Sequence, residues 1–195
     1  MTNDSLYLEG EEKFGSISSC IYGKILTPIL KRYYNIIINE ISERKVEKLL
    51  DVGCGPGKVV TSLAKVMNNT YFYCIDPSPS MIKIAKKNAL RYGIENRINI
   101  AVGSSREIPF NEKFDAIISS FSYHHWKDRD RSLQNLVKYL NNEGFIYIYE
   151  YDNDLGKLKN SHGVSEEEWN NLKINGVKKE IDHKNGLIIL RLLKQ

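Results

Sequence analysis

No apolar run in this 195-residue chain is long enough to cross a bilayer. The strongest, Ile36-Ile37-Ile38 and Leu187-Ile188-Ile189-Leu190, fall far short of the ~20 residues a membrane helix needs. The start, Met1-Thr2-Asn3-Asp4, has neither the basic nor the apolar region of a secretory signal. Cysteine is scarce: Cys20, Cys54 and Cys74 are far apart and lack metal-ligand or disulfide-framework spacing. No metal site is therefore expected, and free thiols point to a reducing, cytoplasmic setting without membrane partners. Charge of one sign is also lacking. The formal excess is only +4, with lysines and acids interleaved along the chain, which favours a solvated mixed surface over a nucleic-acid patch.

What is present describes an ordinary globular protein, 42% hydrophobic and 27% charged. The length suits one domain, and no repeat, linker or low-complexity tract divides it. The expectation is a single domain over 1–195, with a helical N-terminal extension (1–42) and an α/β core (43–195). Helical spacing from Phe14 to Ile41, interrupted by Gly15, Gly23 and Pro28, predicts two or three short helices.

Strands and helices then alternate. Strands are predicted at Val46–Val52, Tyr71–Ile75, Ile98–Val102, Phe114–Ser119 and Phe145–Tyr149, and helices at Val59–Met67, Pro79–Tyr92 and Asp128–Leu140. Asn141-Asn142-Glu143-Gly144 ends the last of these. Ser165–Lys173 reads as a helix with a Ser165/Glu168 capping box. Val177–Ile181 and Leu187–Leu193 flank a turn at Asp182–Gly186, a terminal antiparallel hairpin. Uniformly apolar early strands between helices predict a parallel sheet covered on both faces.

The most informative segment is Leu49-Leu50-Asp51-Val52-Gly53-Cys54-Gly55-Pro56-Gly57. An apolar strand ends in an acid, and three glycines spaced two apart lead into a helix near Lys58. Glycine permits positive φ and removes the Cβ that would keep a ligand from the backbone amides. Asp76 ends the next strand about twenty residues on, where nucleoside-binding folds place a ribose-binding carboxylate. A dinucleotide fingerprint would want its third glycine where Lys58 stands, which disfavours a nicotinamide or flavin domain.

From Val46 to about Glu150 the chain resembles the class I S-adenosylmethionine-dependent methyltransferases, in particular their small-molecule, quinone-biosynthesis-like branch. The resemblance implies a Rossmann-like, doubly wound, seven-stranded sheet in the order 3-2-1-4-5-7-6 with the last strand antiparallel. It implies S-adenosylmethionine as cofactor, over the carboxyl ends of the early strands. By the same match Asp51 lies near the methionine amino group, Gly53, Gly55 and Gly57 let the backbone approach, and Asp76 holds the ribose. Pro77 and Met81 flank the adenine, although Met81 equally suits a core position. Ser104 stands where relatives carry an adenine-binding acid. Ser119 approaches the cofactor's amino group, and Tyr22 matches an aromatic lid.

Ser119-Ser120-Phe121-Ser122-Tyr123-His124-His125-Trp126 resembles the family's motif after the fourth strand. Oxygen or nitrogen acceptors can need a proton removed, and histidine suits that near neutral pH. His125, and after it His124, are the candidate bases; helix-entry or packing histidines are the competing reading, and Trp126 reads as core. Neither the Asp/Asn-Pro-Pro-Tyr/Phe motif of nucleic-acid amine methylation nor a Pro-Cys nucleophile is present. The expected acceptor is thus the O, N or C of a small organic molecule, in a pocket closed by the N-terminal helices or by a second subunit of a homodimer. The alternatives are methylation of tRNA or protein, hinted at only by mild basicity, and a non-catalytic cofactor-binding domain, for which the serine at 104 argues.

Overall fold

The computed structural model describes residues 27–154 and 163–195. Helix α1 (Thr27–Ser42) precedes an alternating series. It comprises β1 (Lys48–Val52), α2 (Lys58–Leu63), β2 (Tyr71–Asp76), α3 (Pro79–Arg91), β3 (Ile98–Val102) and β4 (Phe114–Ser120). Then come α4 (Arg129–Lys138), β5 (Leu140–Asp152), the two-residue β6 (Gly163–Val164), α5 (Glu166–Asn170), β7 (Val177–Lys184) and β8 (Leu187–Lys194). The sheet order is β3-β2-β1-β4-β5-β8-β7, with β6 paired to β5. Strands β1 to β5 run parallel, and β8 is antiparallel to both β5 and β7. With β6 set aside, this is the expected 3-2-1-4-5-7-6 path; β6 makes the strand count eight.

Side chains alternate between two cores because successive strand residues face opposite sides. Leu49, Cys74, Ile118, Tyr147 and Tyr149 pack with Ile37 and Ile41 of α1, Val60 and Leu63 of α2, and Ile82 and Ala89 of α3. Leu50, Ile75, Ile117, Ile146 and Ile148 pack on the other side with Leu133 and Leu136 of α4 and Trp169 of α5. Each fully buried aliphatic side chain contributes about 1.5–3 kcal/mol. Two-sided burial is why apolar residues stand consecutively at Leu49-Leu50 in β1 and at Ala116-Ile117-Ile118 in β4.

Several boundaries correct the sequence expectations. Pro28 is not among them: it falls in the first turn of α1, where its missing N–H has no helical partner to lose, so a helix begins at this expected interruption. The expected helices upstream, with Gly15, Gly23 and Tyr22, lie outside the described residues. Asn141–Gly144 is not a loop before a short strand but a bulge inside β5. Leu140 already pairs with Phe114, and the ladder resumes at Ala116 and Phe145. Glu143 takes a positive φ of 62°, and the Asn141 amide donates to Asp115 Oδ1 at 2.7 Å.

The terminal turn is also tighter than expected. Asn185 and Gly186, at φ 55° and 88°, make a two-residue turn of the kind whose twist matches the flanking strands. At α5 the Ser165 hydroxyl accepts from Glu168 N at 3.3 Å, whereas the Glu168 carboxylate pairs with Arg129.

Candidate functional site

The carboxyl ends of β1, β2, β4 and β5 converge on one crevice. After Val52 the chain turns back over β2, and the amides of Gly53 and Cys54 both donate to Ile75 O, at 2.8 and 3.0 Å. Gly53 sits at φ 74°, and a Cβ there would collide with Ser122 Oγ. Gly55 sits at φ 53° with open space where its Cβ would be, so nothing obstructs a ligand at that peptide. Gly57 closes the turn onto α2.

Asp76 faces this bend. Its Oδ2 accepts from Gly55 N and its Oδ1 from Ser78 N, both at 2.9 Å. Burial raises its pKa to about 6 against the lowering effect of those two amides. Asp51 is 1% exposed, and its Oδ1 has no hydrogen-bond partner. Burial, with the Asp76 charge adding to it, pushes the Asp51 pKa to about 8. An orphaned buried carboxyl oxygen beside a second acid is costly alone and suits a cationic partner.

The other sequence candidates on this side fall around Asp76. Ser78 caps α3, accepting from Met81 N at 3.4 Å. Pro77 is half-buried, and Met81 is buried yet belongs to neither hydrophobic core. Gly103 N donates to Asp76 O at 3.2 Å, which brings Ser104 to the crevice edge. The Ser104 hydroxyl accepts from Arg106 N at 3.3 Å, and its backbone pairs with Glu107, so it closes its own turn.

Beyond β4 the geometry is built by side chains. Ser119 Oγ lies 2.8 Å from Ser122 Oγ, and Ser122 donates to Val52 O at 3.1 Å, tying this segment to the glycine turn. Phe121, at φ 54°, stacks near Tyr33, Tyr34 and Tyr151. His124 is clamped: Glu150 accepts its backbone N–H on Oε1 at 3.2 Å, and His124 Nδ1 lies 2.8 Å from Oε2. The Glu150 side chain is completely buried, and the His124 ring is 6% exposed. The His125 ring, half-buried, lies against His124 at 4.0 Å between centroids. The sequence preference for His125 over His124 thus meets a structure in which His124 is the histidine anchored by a carboxylate. Trp126 is buried beside Tyr123, as expected.

Glu150 and Ser122 were missed as site residues in the sequence. An acid closing the apolar run Phe145–Tyr149 was the available signal for Glu150; nothing local distinguished Ser122. Among the described residues no group of three or more His, Cys, Asp or Glu is arranged to hold a metal.

The glycine turn, Asp76, Ser119, Ser122 and both histidines lie within the span, residues 50–148, that matches the family model described as methyltransferase domain; Glu150 lies just beyond it. The chain belongs to that methyltransferase family. Ajmaline N-methyltransferase of Rauvolfia serpentina is 30% identical over 99 residues, covering 49% of this chain and 33% of the plant protein. A ubiquinone/menaquinone biosynthesis C-methyltransferase of Wigglesworthia glossinidia brevipalpis is 27% identical over 123 residues, covering 62% and 49%. The chain thus spans a third to a half of the length of these two relatives. The fold is shared with an S-adenosylmethionine-dependent methyltransferase of Aquifex aeolicus, at TM-score 0.78, 17% identity, and coverage of 94% of this chain and 100% of that one. It is shared equally with a Methanococcus maripaludis protein at TM-score 0.80, 22% identity and 97% coverage of each.

Proposed function

We propose that this methyltransferase-family chain uses S-adenosylmethionine to methylate the O, N or C of a small organic molecule. The observation that carries the reading is Asp51: a buried carboxyl oxygen without a partner, beside a glycine turn pinned to Asp76. Asp51 would receive the ammonium of the methionine part, Gly53, Gly55 and Gly57 would let the backbone approach it, and Asp76 would accept the ribose hydroxyls. Pro77 and Met81 would flank the adenine, Ser104 would stand near its edge, and Ser119 would contact the amino-acid end. When bound, the cofactor supplies a methyl on a sulfonium, already a strong electrophile.

The protein's task is then to hold a nucleophile in line and exclude water. An acceptor O–H or N–H would give its proton to His125, with His124 held rigid behind it by Glu150. His124 itself is the second candidate base. Relatives named as an N- and a C-methyltransferase both match this chain, and neither atom type is singled out by the residues present. The buried free thiols Cys54 and Cys74 support a reducing, cytoplasmic setting, and one domain over the chain is the simplest organisation.

Calorimetry with S-adenosylmethionine and S-adenosylhomocysteine tests binding. Asp76→Ala should weaken it by about 1–3 kcal/mol, the worth of a charged hydrogen bond. A tritiated-methyl transfer assay against metabolite pools, tRNA and protein then tests the acceptor class. Incorporation into RNA or protein alone would refute the small-molecule reading.

A further inference from the structure

The chain's charges are not interleaved where α2 and α3 lie. Between Val52 and Ile94 there are six cations, Lys58, Lys65, Lys83, Lys86, Lys87 and Arg91, and a single carboxylate, Asp76, which is buried. This stretch alone exceeds the chain's formal excess of +4. Lys83, Lys87 and Arg91 are spaced four apart on α3, with Lys86 and Leu90 between them, so they share one helical face. All five are exposed. Lys65 joins them from the turn that follows α2, its Nζ 4.4 Å from the centre of the Tyr92 ring, which Arg91 also approaches at 6.0 Å.

Apolar side chains stand in the same place. Among the described residues four large hydrophobic side chains are exposed, and three belong to this layer: Val66 at 57%, Leu90 at 67% and Tyr92 at 46%. The fourth, Tyr71, begins β2 in phase with Tyr73 and Ile75, which face the other core. Exposed aliphatic groups set among cations need explaining, because a solvated lysine face gains nothing from Leu90 or Val66.

We infer that the outer face of α3, with the turn that follows α2, docks on an anionic lipid surface. The cations Lys65, Lys83, Lys86, Lys87 and Arg91 would meet the headgroups, while Val66 and Leu90 enter the acyl boundary and Tyr92 lies at headgroup depth. Basic clusters of this size on an amphipathic helix are attracted to anionic leaflets. The contact is peripheral, since among the described residues no helix is long and apolar enough to cross a membrane. A second copy fits poorly, because a twofold dimer through this face would set the cations against one another. A nucleic acid would use the cations and Tyr92, but Val66 and Leu90 offer it neither a hydrogen bond nor a stacking plane.

The test is co-sedimentation of the full chain with vesicles of phosphatidylcholine alone and of phosphatidylcholine mixed with phosphatidylserine, at low salt. Single-stranded RNA is titrated in parallel by fluorescence anisotropy. Binding is expected only with phosphatidylserine present. It should fall about tenfold or more in a triple Lys83→Glu, Lys86→Glu, Lys87→Glu variant, and about threefold or more in Val66→Ser, Leu90→Ser. RNA should bind at least about tenfold more weakly than the vesicles. Thermal melts of the variants confirm that these exposed changes leave the fold intact. Three results would each overturn the inference. These are no sedimentation with either vesicle, vesicle binding unaltered in both variants, and RNA binding that needs the lysines but survives Val66→Ser, Leu90→Ser.

Discussion

The two halves of the crevice are built from different materials. On the β1–β2 side the backbone does the work: the amides of Gly53 and Cys54 hold Ile75 O, and Gly55 N holds Asp76. On the β4–β5 side, side chains distant in sequence do it: Ser122 reaches Val52, and Glu150 clamps His124. A backbone-built site demands special φ values and leaves glycines in the sequence. A side-chain-built site leaves ordinary serines, histidines and acids whose meaning depends on tertiary contact.

The comparison breaks most visibly at Glu150. Glu150→Ala should strand the buried His124 ring and amide and cost about 3–5 kcal/mol of stability, read by urea unfolding. Cofactor affinity of the folded protein should hardly change, because the clamp lies on the opposite half. Equal losses in both would mean that the halves are not separable.

On the backbone side, Gly53→Ala should cost about 3 kcal/mol, combining left-handed strain with collision against Ser122. Pairing it with Ser122→Gly should recover the collision part and leave the strain. Gly55→Ala meets no neighbour and should cost only about 1 kcal/mol of stability, while weakening cofactor binding by obstructing the open peptide. A Gly55→Ala variant with unaltered binding would remove that peptide from the site.

Asp51 sharpens the contrast through pH. Its native pKa of about 8 lies above the unfolded value of 3.8, so the native state holds its proton more tightly. The Asp51 contribution to stability without cofactor is therefore greatest below pH 4, declines as pH rises, and levels off above about 8. Asp76, raised to about 6, adds to the decline over the lower part of that window. Asp51→Asn should remove much of the slope and stabilise the ligand-free protein at pH 8 by about 2 kcal/mol. Unfolding curves at pH 5 and pH 8 measure it, and a slope unchanged by the substitution would show that Asp51 is not the group responsible.

Legibility in the sequence followed the same division. Ile98–Val102 has the bounds its apolar pattern predicts, and the other parallel strands are found where expected, because two-sided burial imposes apolar runs. The glycine bend and Asp76 could be paired by spacing alone. Asn141–Gly144 misled because turn residues also serve a bulge, and only the Asn141–Asp115 contact shows which. His124 and Glu150 are 26 positions apart, beyond the reach of any local pattern. The one-signed stretch from Gly53 to Gly93 was hidden by the near-neutral total, since its balancing acids lie elsewhere in the sequence.

The most direct measurement is calorimetric titration of S-adenosylhomocysteine into the native protein and its Asp51→Asn and Asp76→Ala variants, near neutral pH in two buffers of different ionisation enthalpy. Native binding is expected to release protons as the ligand's ammonium ionises Asp51. Asp51→Asn should lose most of that release, and both variants should bind more weakly. Binding of equal strength in all three proteins, or none in the native one, would contradict it.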